Sequence, residues 1–103
     1  ITEFDLLRFV TTWSSLRILS LARLKLAVTD RVVKKIAEQN SLHRLDIQGC
    51  TSATVASILS VEMSTFQKLQ YLNIQDLPLV GGRYKTYKKL AYMLPSCDII
   101  WFS

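Results

Sequence analysis

The ten residues SLHRLDIQGC, positions 41–50, decide how the chain is read. Leu42, Leu45, Ile47 and Cys50 fall at the first, fourth, sixth and ninth places of one frame. The same frame recurs at Leu16, Leu19, Leu21 and Leu24, and again at Leu69, Leu72, Ile74 and Leu77. A weaker copy runs through Leu94, Cys97, Ile99 and Phe102, so the starts are spaced 26, 27 and 25 residues apart. Apolar residues two apart lie on one face of a strand, because side chains alternate along it.

This pattern is the strand half of a leucine-rich repeat, L-x-x-L-x-L-x-x-[N/C]. One strand–helix unit cannot bury its apolar surface alone, so units must stack. The expected fold is α/β: a short right-handed leucine-rich-repeat solenoid, with parallel strands on the concave face and helices on the convex face. Strands are expected at 16–22, 42–48, 69–75 and 98–101. Residues 1–12 are expected to form a helix capped by Thr2, with Phe4, Leu7, Phe9 and Val10 supplying its apolar spacing. A second helix is expected over 31–39, capped by Thr29 or Asp30 and stopped by Asn40, with Val33, Ile36 and Ala37 inward. A third is expected from Thr51 or Ser52, carrying Val55, Ile58, Leu59 and Met63. The last is expected over 83–93, after an irregular loop at Pro78 and Gly81-Gly82. Its inward face is read as Tyr84, Tyr87, Ala91 and Leu94.

The 103 residues fit one domain, and a hydrophobic fraction of 50% is enough for a continuous core. The chain opens with Ile1 and with a helix rather than a strand, so it is expected to be the C-terminal part of a longer protein. No apolar run reaches the roughly 18 residues of a membrane-spanning helix. Cys50 and Cys97 are too few for a disulfide framework and fall on inward places, which reads as two buried, reduced thiols.

Stacking also writes out the outward face. One row is Ile18, Arg44, Tyr71 and Ser96; the next is Ser20, Asp46, Asn73 and Asp98; the third is Ala22, Gln48, Gln75 and Ile100. Arg44, Asp46, Tyr71 and Asn73, at the centre of two rows, are the candidate protein-binding residues, with Trp101 as a further aromatic anchor. Catalysis is not expected. Asp46 and Asp98 would stand two strands apart, roughly 10 Å, beyond the separations a pair of glycosidase carboxylates uses. His43 is the sole histidine and has neither a nucleophile nor a metal partner at a useful spacing. Gly81-Gly82 lacks the pattern of a phosphate-binding loop. No metal or cofactor is expected.

The net charge is +5. Lys85, Lys88 and Lys89 form a basic stripe on the last helix, with no acidic residue between Arg83 and Leu94. Such a stripe suits an acidic protein or, as peripheral contact, anionic lipid head groups. Nucleic acid is disfavoured, because the aromatic residues that would stack on bases fall mostly inward.

The period and Cys50 at the ninth place resemble the cysteine-containing subclass of leucine-rich repeats, familiar from F-box proteins of ubiquitin ligases. Leu24, Leu77 and Phe102 depart from the Asn or Cys of that place. A narrower resemblance covers residues 69–102. LQYLNIQDLPLV, a basic helix and LPSCDIIWF look like the end of the mitochondrial coupling factor B family, also called ATP synthase subunit s. The related complex I distal membrane-arm assembly factors end similarly. The likeness is carried by the Asp76-Leu77-Pro78 turn and the Leu94-Pro95-Ser96 stop. It implies a non-enzymatic protein–protein interaction scaffold on the matrix side of the mitochondrial inner membrane, assembling or coupling a respiratory-chain or ATP synthase complex. The alternative implied by the broader resemblance is the substrate-recognition part of an F-box ubiquitin ligase, or a plant-type immune receptor fragment, in the cytoplasm or nucleus.

Overall fold

Four short strands pair in parallel and in chain order, as the repeat spacing predicts. The computed structural model describes residues 1–12, 15–38, 41–55, 58, 66, 68–78 and 83–101. The order of elements is α1 (Glu3–Val10), β1 (Ile18–Ser20), α2 (Asp30–Glu38), β2 (Arg44–Asp46), β3 (Tyr71–Asn73), α3 (Arg83–Met93) and β4 (Asp98–Ile100). The result is a small α/β fold around a four-stranded parallel sheet. The expectations for Asn40, Leu59, Met63, Gly81-Gly82 and Phe102 lie outside the described residues.

The register sets Ile18, Arg44, Tyr71 and Asp98 side by side, then Leu19, Leu45, Leu72 and Ile99, then Ser20, Asp46, Asn73 and Ile100. Equivalent positions therefore recur at 18, 44, 71 and 98, in steps of 26, 27 and 27 residues. This corrects the fourth repeat, which sequence spacing placed two residues too early. Leu94 caused the slip. It is buried, but its N–H donates to the Leu90 carbonyl at 2.8 Å, so it continues the helix instead of opening a strand. Ser96 takes the first place of the fourth repeat, and Trp101 takes the place of Leu21, Ile47 and Ile74.

Each of the first three strands runs into the same tight turn. The N–H groups of Leu24, Cys50 and Leu77 donate to the carbonyls three residues earlier, at 3.3, 3.1 and 3.2 Å. The third turn residue has positive φ each time: Arg23 at 67°, Gly49 at 73° and Asp76 at 65°. That combination is the geometry of a type II turn, which favours glycine at its third place. Gly49 meets the demand without strain, whereas Arg23 and Asp76 carry a left-handed cost of about 1–2 kcal/mol each. The turns also lengthen the ladder, because Arg23 N–H reaches the Gln48 carbonyl (2.7 Å) and Gly49 N–H reaches that of Gln75 (2.9 Å).

The core lies on one side of the sheet. Leu45, Ile47, Leu72 and Ile74 are buried together with Val32, Val33, Ile36 and Ala37 of α2. Thr29 Oγ1 accepts the Val32 N–H at 3.4 Å. Asp30 instead ties one repeat to the next, accepting the Thr54 N–H at 2.7 Å. In α1, Thr2 and Asp5 form a reciprocal capping box. The bonds from Thr2 hold the Asp5 carboxyl below its ordinary range. The inward face of α1 differs in part from the expected one: Val10 is buried and Leu7 half-buried as expected, but Leu6 is buried in place of Phe4 and Phe9, which are exposed. Leu6 and Val10, four apart, join the common core; α1 packs against α2, and an Arg31–Glu3 ion pair (3.5 Å) links the same two helices. Residues 51–53 form turns and a bend, so the helix expected from Thr51 or Ser52 starts later; Val55 and Ile58 are helical and buried, as expected.

Candidate functional site

The outward row beginning at Ile18 forms an open face. Ile18, Arg44 and Asp98 are exposed and Tyr71 is half-buried. Alternation puts these side chains opposite the Leu19–Leu45–Leu72–Ile99 row, in which Leu45 and Leu72 are buried and the outer two half-buried. The Arg44 guanidinium lies over the Tyr71 ring, 4.7 Å from its centroid. The cation–π contact favours one placement of an otherwise flexible cation. A shallow dish of about 240 Å³ spans this part of the sheet, bordered by Ile18, Ser20, Arg44, Asp46 and Tyr71.

The structure thus brings Arg44 and Tyr71 together as the sequence predicts, and gives Asp46 and Asn73 a different task. Asp46 Oδ1 accepts the Gln48 N–H and Asn73 Oδ1 accepts the Gln75 N–H, both at 3.0 Å. Each side chain brackets the end of its own strand, in the manner of an Asx turn. Asn73, expected outward, is buried at 6% exposure. Its signal was present in the sequence: Asp46-Ile-Gln and Asn73-Ile-Gln occupy the same place in successive repeats. The corrected register moves Asp98 beside Tyr71 and out of the Asp46 row, and sequence reasoning missed it as a site residue for that reason. His43 stands half-buried at the rim, with Nδ1 3.1 Å from the Ser41 carbonyl oxygen.

A second surface lies on α3. Lys85, Lys88 and Lys89 are exposed, as expected. The tyrosine face is corrected, since Tyr84 is 65% and Tyr92 77% exposed. The helix is anchored by Thr86, Leu90 and Leu94, spaced four apart, all buried. Tyr87 stacks on Trp101 with ring centroids 4.7 Å apart and planes 13° apart. Trp101 is therefore held against the helix and is not an anchor on the open face. Lys88 Nζ lies 5.1 Å from the Tyr84 ring centroid, and Lys88, Lys89, Tyr92 and Met93 border a groove of about 430 Å³.

The thiols are both free. Cys50 is fully buried, and its Sγ–H donates to the Leu21 carbonyl of the preceding repeat at 3.0 Å. Burial pushes its pKa up. Cys97 was expected inward. It stands instead just before β4, half-buried, because the fourth repeat is shifted by two residues. Burial, and then the Asp98 carboxylate beside it, pushes its pKa up to about 11. Among the described residues no group of three or more His, Cys, Asp or Glu side chains is placed to hold a metal ion. No helix among them is long and apolar enough to cross a membrane. Compared with protein-family models and with curated proteins, the chain finds no match in either.

Proposed function

We propose that the chain is a leucine-rich-repeat solenoid acting as a non-enzymatic protein-binding scaffold, an assembly or coupling factor of a respiratory-chain or ATP synthase complex on the matrix side of the mitochondrial inner membrane. The repeating geometry supports the first half: three equivalent turns at 23, 49 and 76, and the Cys50 thiol bonded to the preceding repeat. The observation that carries binding is Arg44 held over the Tyr71 ring in the open dish. Arginine and tyrosine near the middle of a patch are the residue types that concentrate interface energy. The location is carried by the sequence resemblance over residues 69–102.

The test begins with proximity labelling in cells from the tagged chain, followed by affinity measurements on the neighbour recovered. Tyr71→Ala and Arg44→Ala are each expected to weaken that interaction by about 1–3 kcal/mol, with the thermal transition of the domain unchanged. Labelling confined to the cytoplasm or nucleus would favour the ubiquitin-ligase reading. Unchanged affinity in both folded variants would remove the binding site from this face.

A peripheral membrane contact is the role supported for α3. Exposed Tyr84 and Tyr92 flank three exposed lysines, and amphipathic aromatic rings and cations both suit a lipid–water interface. Each lysine contributes on the order of 1 kcal/mol at an anionic surface. The expected result is sedimentation with cardiolipin-containing vesicles at low salt. It should be largely lost when Lys85, Lys88 and Lys89 are changed together to Gln, and in parent protein at high salt. Equal sedimentation of the triple variant and parent would return these lysines to a solvated face.

A further inference from the structure

We propose that the open face of the sheet takes an α-helix of a partner protein, laid across the four strands at one helical turn per strand, with a carboxylate side chain over Arg44 and a cationic one over Asp98. This rests on the protein-binding reading above and adds the chemistry of the occupant.

Spacing selects a helix. Neighbouring strands are about 4.8 Å apart, and a helix advances about 5.4 Å per turn. Over the three steps from Ile18 to Asp98 the mismatch accumulates to only about 2 Å. An extended peptide presents same-side residues about 6.7 Å apart and slips by about 2 Å at every step. The row itself then dictates the partner's face. It reads apolar, cationic, aromatic, anionic: Ile18, Arg44, Tyr71, Asp98. Ile18 is 65% exposed. Among the described residues neither the Arg44 guanidinium nor the Asp98 carboxylate has an ion-pair partner. The ion pairs described are Arg31–Glu3 and Lys35–Glu38, both on helices. The Arg44 guanidinium carbon sits over the Tyr71 ring on an exposed residue, and a guanidinium can bind a carboxylate in the bidentate manner.

Arg44 and Asp98 are two strands, about 9.6 Å, apart, and helical residues seven apart are separated by about 10.5 Å along the axis. The partner helix therefore carries an acidic and a basic residue seven apart, with an apolar residue between them over Tyr71. A second apolar residue lies one turn beyond the acid, over Ile18. In the next row Asn73 is buried and Asp46 is half-buried with Oδ1 accepting a backbone N–H, so the exposed charges are those of the first row, Arg44 and Asp98.

The experiment selects displayed peptides from an alanine-rich helical library, randomised on one face, against the full chain and two charge-reversed variants. Circular dichroism first establishes that both variants fold. The parent is expected to enrich peptides with one acid and one base seven apart. Arg44→Glu should enrich two bases at that spacing, and Asp98→Lys two acids. A peptide selected on the parent should bind either variant at least about tenfold more weakly and recover when its own opposing charge is reversed. No enrichment, enrichment without the seven-residue spacing, or the same peptides from all three proteins would overturn the proposal. Peptides lost on Ile18→Glu but indifferent to both charge reversals would sink the charge pattern and keep the face as a binding surface. Peptides indifferent to Ile18→Glu and Tyr71→Ala would sink the binding reading itself. Self-association of the parent in sedimentation, abolished by Arg44→Glu, would assign the face to a second copy of the chain and overturn the proposal.

Discussion

Leu45→Ala is expected to lower the unfolding free energy by about 2–5 kcal/mol. Leu45 is fully buried on an interior strand, between Leu19 and Leu72 in the ladder. Its removal subtracts the transfer free energy of the lost methylenes and leaves a cavity that neighbours on both sides hold open. Small domains are stable by only about 5–15 kcal/mol, so the variant should unfold at a much lower urea concentration. Leu19→Ala provides the internal comparison. Leu19 occupies the same place on edge strand β1 and is only half-buried, so its loss should cost distinctly less. A loss below about 1 kcal/mol for Leu45→Ala, or a larger loss for Leu19→Ala, would contradict this account of the core.

The two thiols are expected to separate by orders of magnitude in reactivity. Cys50 has no exposed surface, so a polar alkylating reagent should reach it only after the repeat opens. Cys97 is accessible at the rim, but its pKa of about 11, against an ordinary value of 9.0, suppresses the thiolate. Near pH 8 that shift lowers the thiolate fraction about a hundredfold. The more basic thiolate is about tenfold more nucleophilic, so the net rate should fall about tenfold. Mass spectrometry of native protein should therefore show slow modification at Cys97 alone, rising with pH past 9 without levelling. Modification of Cys50 at the Cys97 rate would contradict its burial. The same shifts have a stability consequence. Both folded-state pKa values are raised, so the unfolded chain releases thiol protons first as pH rises. For Cys97 the contribution is complete below pH 9 and is lost as pH climbs from 9 towards 11. Replacing Cys97 with Ala should flatten that decline.

The sequence by itself determined the parallel strands, their chain order and the first two steps of the register. An apolar residue at every second strand position has only one stable outcome when the unit repeats: the apolar sides line up and the intervening side chains face out. Leu45 beneath and Arg44 and Tyr71 above follow from that alternation alone. The burial of Cys50 at the ninth place follows from the repeat frame.

Tertiary structure decided the rest wherever two periodicities competed for one residue. Leu94 satisfies both the strand frame and a helical face with Leu90, and the helix won because the Leu94 N–H already has a partner in the Leu90 carbonyl. That choice moves β4 by two residues, carries Cys97 to the rim and puts Asp98 beside Tyr71. In α3, tyrosines at helical spacing suited an inward stripe. Packing instead buried Thr86, Leu90 and Leu94, leaving Tyr84 and Tyr92 with their phenol groups in water and Tyr87 to stack on Trp101. In α1, which packs against α2, the same contest between apolar faces ended with Leu6 and Val10 in the core and Phe4 and Phe9 turned out. Alternation along a strand is local and leaves one choice of face; a helix carrying apolar residues all round leaves several, and only the neighbour it packs against selects among them.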